Sequence, residues 1–499
     1  MINLSSLPHR FFRALSCAGL ALAASPSAQA AGRGANISGA EFGSPGGAIN
    51  SSYTYNSAKT FQYFGGKGLT LLRIPILWER IQPTLNGPLD TTNLNALKQD
   101  IAWAKTYGCQ VIIDIHNYAR YSINSGGTYT SYIIDNVYGG SVKVSAANLA
   151  NLWTALSTQF KNEPGVYAYG MMNEPHDMGT ANWKTISQTV LTAIRNNGDN
   201  KLITVPGNAW TGASNWSGNN GATSWISDPA NNFEYEAHCY FDHDGSGTYN
   251  ETYDQELAAN ANLAKVGATR VSNFVNWCFT NNVHGYLGEF GIPNTDPRWL
   301  TVLDNFYRSI DAANFDGTIW AAGEWWGSYP LSVQPSNNFT TDAVQMATML
   351  KHLANAPIVF ETESLNATWT SGITHRVLSD SSLSGGAGTI LDATAAGNQV
   401  TYTVPGLAGR NYDMRVGYKG FNTRGTWQLA IASALNNQYT NHGPAEDEYV
   451  SGQSYTYFDL GVITIGSSSD KLYRFTITGK NAASSGYGEA FDYITLIPQ

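Results

Sequence analysis

From Ala31 to about Ala356 the chain alternates short, nearly unbroken apolar runs with longer segments of helical period. The apolar runs are Ala35–Phe42, Thr70–Ile76, Gln110–His116, Val166–Glu174, Leu202–Asn208, Phe233–Phe241, Gly285–Gly291 and Gly317–Ala322. A strand that is apolar on both faces belongs in a parallel sheet covered on both sides. Between these runs lies Leu94, Leu97, Ile101 and Ala104 at helical spacing, behind Asp90 and Thr91 as candidate caps. Ala147–Phe160, Trp183–Ile194, Leu263–Phe279 and Trp299–Ala313 read the same way. Roughly eight β-then-α units predict an α/β fold, a (β/α)8 TIM barrel over residues 31–356 with long loops. An open doubly wound sheet is the alternative, but no G-x-G-x-x-G turn follows the first strand.

After Pro357 the period changes. Short β runs separated by Gly, Ser, Asn and Asp take over: Gln399–Val404, Tyr412–Tyr418, Thr426–Ala432, Tyr455–Val462, Leu472–Thr478 and Phe491–Ile497. Residues 357–499 are therefore expected to form an all-β sandwich, a jelly-roll module. No Pro/Ser/Thr-rich linker separates it from the barrel, so the two are expected to touch.

The first 30 residues carry His9, Arg10 and Arg13, an apolar stretch Ala14–Ala24 and an Ala28-Gln29-Ala30 cleavage signature. This pattern is a secretory signal peptide, too short to span a bilayer, and it predicts a secreted protein, extracellular or periplasmic. No later segment reads as a membrane span. Of the four cysteines, Cys17 lies in the signal peptide, leaving Cys109, Cys239 and Cys278. Three thiols allow at most one intrachain disulfide, and none forms a C-x-x-C metal pair.

Charge narrows the partners. Lys+Arg 28 against Asp+Glu 37 gives a net charge of −9, without a basic run, so nucleic acid is not expected as a partner. With 14 Trp and 28 Tyr but only 13% charged residues, the composition suits a neutral polyhydroxylated ligand.

In a parallel barrel, reactive groups collect at the C-terminal ends of the strands. Those ends offer Glu41, Arg73, Asp114-Ile115-His116-Asn117-Tyr118, Asn173-Glu174-Pro175-His176, His238-Cys239-Tyr240, Gly288-Glu289-Phe290-Gly291 and Trp320-Ala321-Ala322-Gly323-Glu324-Trp325-Trp326. Glu174 and Glu289 close the fourth and seventh strands and can face each other across the mouth. A carboxylate pair about 5–5.5 Å apart is what retaining glycoside hydrolysis needs: one nucleophile kept ionised, one group that first gives and then takes a proton. Arg73 is placed to hold Glu289 anionic, and Tyr240 to donate a hydrogen bond to it. Asn173 is placed to donate to a sugar 2-hydroxyl. Any one of these residues alone is more often structural; the set is specific.

These motifs, in this order, resemble glycoside hydrolase family 5, and in particular endoglucanases that begin Asn-Ile-Ser-Gly-Ala-Glu-Phe-Gly and end Trp-Trp-Gly-x-Tyr. The resemblance covers about Ala31 to Ala356. It implies Glu174 as acid/base and Glu289 as nucleophile, with Arg73, His116, Asn117, Asn173, His238, Tyr240 and Trp320 lining the cleavage subsite and a cis Trp320–Ala321 peptide. It implies a secreted endo-β-1,4-glucanase, a cellulase that needs no cofactor for catalysis, acts as a monomer and takes β-glucan as substrate. β-Mannanase, xyloglucanase and mixed-linkage glucanase share the chemistry, and a non-catalytic polysaccharide-binding protein is the rival from another class. Glu324 departs from the family pattern, where Pro is expected. Loop tryptophans Trp78, Trp210, Trp216, Trp225, Trp325 and Trp326 are candidate sugar platforms or packing residues, whereas Trp103, Trp153 and Trp277 are assigned to the core.

The C-terminal module opens Phe360-Glu361-Thr362-Glu363 and closes Phe491-Asp492-Tyr493-Ile494. This resembles β-sandwich carbohydrate-binding modules with a structural calcium between first and last strands, which implies Glu361, Glu363 and Asp492 as ligands. Edge-strand charge is the alternative. Tyr418, Trp427, Tyr439 and Tyr457 are candidates to stack on sugars, or the module braces the barrel.

Overall fold

A computed structural model describes residues 31–353, 357–407, 410–465 and 469–498. The expected signal peptide, residues 1–30, and the three residues before Pro357 lie outside the described residues.

Eight parallel strands close a barrel in sequential order: β1 (Arg33–Ile37), β2 (Leu71–Ile76), β3 (Gln110–Ile115), β4 (Val166–Gly170), β5 (Leu202–Pro206), β6 (Phe233–His238), β7 (Gly285–Glu289) and β8 (Asp316–Ala322). The (β/α)8 expectation holds. Six of the eight predicted runs contain their strand, while β1 and β8 begin ahead of theirs, at Arg33 and Asp316; most runs continue past the C-terminal end, because the residues there turn out of the ladder to form the mouth. The crossover helices include α1 (Ala58–Gly66), α2 (Thr91–Thr106), α3 (Ala146–Phe160), α4 (Trp183–Asn196), α5 (Val266–Asn281) and α6 (Trp299–Ala313). Asp90 caps α2 by accepting from Asn93 N at 2.8 Å, and Ser145 with Asn148 forms a capping box on α3. After β5 and β8 only short helices, Trp216–Asn220 and Met346–Lys351, make the crossover.

Strand alternation divides the barrel into two environments. Outward residues such as Leu72, Ile74, Val111, Ile113, Tyr235 and Ala237 pack under the helices. Inward residues fill the lumen in layers. Leu71, Ile112, Ala168 and Tyr286 form a small apolar plug. The next layer is polar: Asn36, Arg73, Asp114 and Glu236 are all fully buried. Gly288 makes room for it, since a Cβ there would lie 2.1 Å from Glu236 Oε1.

The C-terminal region is all-β, as expected. Its strands are β9 (Ile358–Glu361), β10 (Asn366–Trp369), β11 (His375–Ser379), β12 (Ala387–Leu391), β13 (Gln399–Val404), β14 (Arg410–Gly420), β15 (Thr426–Ser433), β16 (Thr440–Asp447), β17 (Ser454–Ile465), β18 (Lys471–Gly479) and β19 (Glu489–Pro498). One antiparallel sheet runs β11-β12-β19-β14-β17 with β9 on β19; the other runs β10-β13-β18-β15-β16. Trp427, Tyr402, Phe475 and Phe491 pack in a core shared by both sheets. The region touches the barrel through α6: Ala312 joins that core beside Ile358, and Arg308 Nη1 donates to Val359 O at 2.5 Å. Cys109, Cys239 and Cys278 are buried free thiols. Among the described residues no helix is long and apolar enough to cross a membrane.

Candidate active site

Each strand delivers one or two side chains to the mouth. β2 brings Arg73, whose guanidinium is completely buried and shared among several acceptors. Nη1 donates to Asn36 Oδ1 and to Glu289 Oε1, both at 2.9 Å, and Nη2 donates to Asn173 Oδ1 at 2.7 Å. Asp114 and Glu236 lie 3.1 and 3.2 Å from Nη2. A planar fork can serve this many partners at fixed angles; a point charge cannot.

A register shift between Ala237 and His238 pairs His238 with Glu289 across β6 and β7. His238 Nδ1 lies 2.7 Å from Glu174 Oε1 and 3.7 Å from Glu289 Oε2, and Nε2 lies 3.2 Å from Glu236 Oε1. Burial opposes charging this ring, but Glu289, Glu174 and Glu236 outweigh it and push His238 up to about 10. It is an imidazolium at neutral pH, with carboxylates on both nitrogens. Glu174, His238 and Glu289 present oxygen and nitrogen atoms all within 4.8 Å of one another. A charged ring occupied on both sides is a donor rather than a metal ligand.

Glu289 is buried and receives the Tyr240 hydroxyl on Oε2 at 2.8 Å. Burial favours its neutral form, yet His238, Arg73, His116 and the Tyr240 hydroxyl together hold it below the ordinary Glu range. Glu174 sits past β4 with φ of 40°, in the left-handed region that L residues rarely adopt. It is partly exposed to the cleft, whereas Glu289 is not. The two carboxylates thus differ in access as well as in partners.

The remaining expected site residues fall around this centre. His116 is held by Asp114 Oδ2 at 2.8 Å from Nδ1 and stacks on Trp320 at 5.5 Å between centroids. The Trp320–Ala321 peptide bond is cis. Asn173 spends its carbonyl on Arg73, and its Nδ2 is buried with no partner in the protein, free to donate to a ligand. Asn117 lines the cleft beside His116 with its amide held by the protein: its carbonyl accepts from Trp78 N at 2.6 Å, and its Nδ2 donates to Glu79 Oε2 at 2.7 Å.

The cleft extends to both sides of the carboxylates. One side is a cavity of about 660 Å³ reached by Glu174, Trp210, His238, Tyr240, His243 and Arg270. The other, of about 370 Å³, is lined by Glu41, Phe42, His116, Tyr118, Trp320 and Trp326, among others. Trp210 is 49% exposed and stacked on His176 at 4.4 Å; Trp326 is half-buried and stacked on Tyr329 at 4.3 Å. Trp325 is exposed at the rim, while Trp78 and Trp216 are fully buried core residues.

Three roles were not read from the sequence. Glu236 is one; the signal was the run Glu234, Glu236, His238 on alternate positions of an otherwise apolar strand, which puts all three in the lumen. Asn36, bonded to Arg73, is another. Glu324 is the third: its Oε1 accepts from Ser57 N, Ser57 Oγ and Thr60 Oγ1 at 2.8, 2.6 and 2.8 Å, capping the N-terminus of α1 from β8's loop. A cap supplied from 267 residues away leaves no local sequence signature.

In the C-terminal sheets, Asp492 accepts from Ser384 N at 3.0 and 3.2 Å, and Glu361 Oε1 accepts from Ser384 Oγ at 2.8 Å. Glu361 Oε2 and Glu363 Oε2 are buried without partners, so the hard-oxygen set suits calcium. Of the expected sugar-stacking residues, Trp427 is core, Tyr418 is buried on Glu446, Tyr439 lies under Arg474, and Tyr457 is 48% exposed.

The closed barrel with this mouth places the protein among the glycoside hydrolases. The family model of cellulase (glycosyl hydrolase family 5) matches residues 30–325, and the chain belongs to that family. It is 30% identical to endo-β-1,4-glucanase B of Emericella nidulans over 325 residues, 64% of this chain and 89% of that one. It is similar to the solved structure of Pseudomonas stutzeri endoglucanase Cel5A in complex with cellobiose: 34% identity, 66% of this chain and 96% of that one, TM-score 0.58. It is also similar to the endo-β-1,4-glucanase Xac0029 from Xanthomonas axonopodis pv. citri: 36% identity, 65% and 98% coverage, TM-score 0.56.

Proposed function

We propose that the protein is a secreted, retaining endo-β-1,4-glucanase working by double displacement on Glu174 and Glu289. The observation that carries this is the spacing: one carboxylate oxygen of Glu174 and one of Glu289 lie within 4.8 Å of each other, which suits the separation of about 5–5.5 Å between carboxyl groups that retention uses.

In this reading Glu289, held anionic, attacks the anomeric carbon as Glu174 passes its proton to the departing glycosidic oxygen. The covalent glycosyl ester at Glu289 is then hydrolysed by a water that gives its proton to Glu174. Arg73 and Tyr240 fix the two Glu289 oxygens, and His238 orients Glu174. The free Asn173 amide takes the 2-hydroxyl of the sugar, whose bond strengthens as positive charge develops at the neighbouring carbon. Trp320 lies under that sugar; Trp210 and Trp326 serve as platforms on either side. A cleft that extends to both sides of the carboxylates suits an internal stretch of polymer, and the endo-β-1,4-glucanases among the relatives support glucan. The C-terminal sheets are read as a brace that also carries a structural calcium on Glu361, Glu363 and Asp492, with Tyr457 available to a sugar.

The test is cleavage of carboxymethylcellulose, mannan, xyloglucan and lichenan side by side, by wild type and by Glu289→Gln. Fastest fall in viscosity with carboxymethylcellulose, abolished in the folded variant, is expected. Preference for mannan, or near-normal turnover by Glu289→Gln, contradicts the reading.

A further inference from the structure

At one end of the sandwich, where β15 starts, β16 ends and β19 starts, two glutamates enter the space between the sheets. Glu489 lies two positions before the core residue Phe491 on β19, on the same inward face, and is fully buried. Glu448, just past β16, is also fully buried. The Glu448 oxygens each have a donor: Trp427 Nε1 at 2.9 Å on Oε1 and Ala490 N at 3.2 Å on Oε2. Glu489 differs: neither of its buried carboxylate oxygens receives an N–H or hydroxyl donor. The two carboxyl groups lie within hydrogen-bonding reach of each other.

The nearby cation does not balance them. Arg424 Nε stands 4.0 Å from Glu448 Oε2 and donates to Lys419 O at 3.0 Å. Asp447 adds a further negative charge to the surroundings. Two buried carboxylates against one guanidinium leave a charge that burial makes costly. A proton shared between the glutamates would occupy one Glu489 oxygen and leave the other orphaned. A cation satisfies both. Two backbone carbonyls face the same space next to Gly425: a Cβ on Gly425 would lie 2.7 Å from Glu489 Oε1, 3.0 Å from Gly479 O and 3.1 Å from Tyr487 O.

We propose that Glu448 and Glu489, supplemented by the carbonyl oxygens of Gly479 and Tyr487, form a buried calcium site inside the β-sandwich. The donors are all hard oxygens, and calcium accepts an irregular, largely dehydrated set of them better than magnesium does. The site is separate from Glu361, Glu363 and Asp492, because Asp492 leaves the opposite face of β19. The ion would pin three chain segments already stitched by Gly425 N to Gly488 O and Glu448 N to Gly425 O, both at 3.1 Å.

The test uses the full chain, depleted with chelator and titrated with calcium chloride, reading bound calcium by atomic emission and the melting temperature. Glu489→Gln should bind one calcium fewer per chain than wild type and lose part of the calcium-dependent rise in melting temperature, whereas Asp492→Asn should retain that part. Equal calcium in wild type and Glu489→Gln overturns the proposal. So does a Glu489→Gln protein that melts at or above wild type under both conditions, the signature of a proton-sharing pair. Should Glu489→Gln fail to fold, terbium is added to the depleted wild type: emission sensitised through Trp427, 2.9 Å from Glu448, and quenched by calcium is expected, and its absence overturns the site.

Discussion

Arg73 Nη1 reaches Glu289 Oε1 at 2.9 Å from a position with no solvent exposure at all. The contact favours the charged form of Glu289, while the same Nη1 also holds Asn36 and Nη2 holds Asn173.

Arg73→Lys keeps the charge and loses the fork. At least one of Asn36, Asn173 and Glu289 is then released, and kcat on soluble glucan is expected to fall at least ~100-fold, the cost of about 3 kcal/mol of lost preorganised stabilisation. KM should change little. Wild-type kcat in a folded Arg73→Lys protein would show that the guanidinium geometry is not used.

Glu174→Ala should cripple cleavage of substrates with poor leaving groups, which need a proton, and spare formation of the glycosyl-enzyme from activated aryl glycosides. Azide needs no general base, so it should restore turnover of the aryl glycoside and yield the β-glycosyl azide. Equal losses on both substrate types without azide rescue would make Glu174 a structural residue.

His238 gives a pH signature. Its folded value is raised to about 10 from an ordinary value near 6.5, so the stability it confers is complete below about 6.5 and is lost as pH rises through about 10. His284, raised to about 9 chiefly through its bond to Glu234 against the effect of burial, adds to the same trend. The melting temperature should therefore fall between pH 7 and 10, and His238→Gln should flatten part of that slope while His284, with His116 and His352, whose carboxylate partners also raise them, keeps the rest. An unchanged slope in His238→Gln would mean that the ring is not charged in the folded protein.

Glu324→Ala removes the cap of α1. Caps are worth about 0.5–2 kcal/mol, so a modest drop in melting temperature with unaltered kcat is expected. A large loss of activity would instead place Glu324 in the cleft chemistry.

The sequence showed the barrel because each parallel strand is an unbroken apolar run and helical period separates the runs. It showed Glu174, Glu289, Arg73 and Tyr240 because strand ends are read one at a time and all four are polar at such ends. Asn117 sits in the same motif, yet its orientation into Trp78 and Glu79 depends on the left-handed turn at Tyr118 and Ala119, which no periodicity encodes. The buried Trp78 and Trp216 against the exposed Trp210 were equally illegible, since all three follow strands and only packing separates them. In the C-terminal region the strands with strong alternation were readable, while β9, β10, β11, β12 and β16 were not; β10 and β16 are edge strands with mostly exposed side chains.

Removing the C-terminal region, with a chain ending at Leu353, would uncover Ala312 and the Arg308 side of α6. At about 25 cal/mol per Å² of apolar surface returned to water, the barrel should melt measurably lower. Superimposable melting curves would show that the sheets do not brace it.

The most direct test of the two-glutamate account is the stereochemistry of the first product. Proton NMR, recorded on a soluble β-glucan oligosaccharide before mutarotation intervenes, resolves the anomers of the new reducing end. With one oxygen of Glu174 and one of Glu289 within 4.8 Å of each other, the β-anomer should appear first and the α-anomer only as mutarotation proceeds. The α-anomer appearing first would mean inversion and contradict the account.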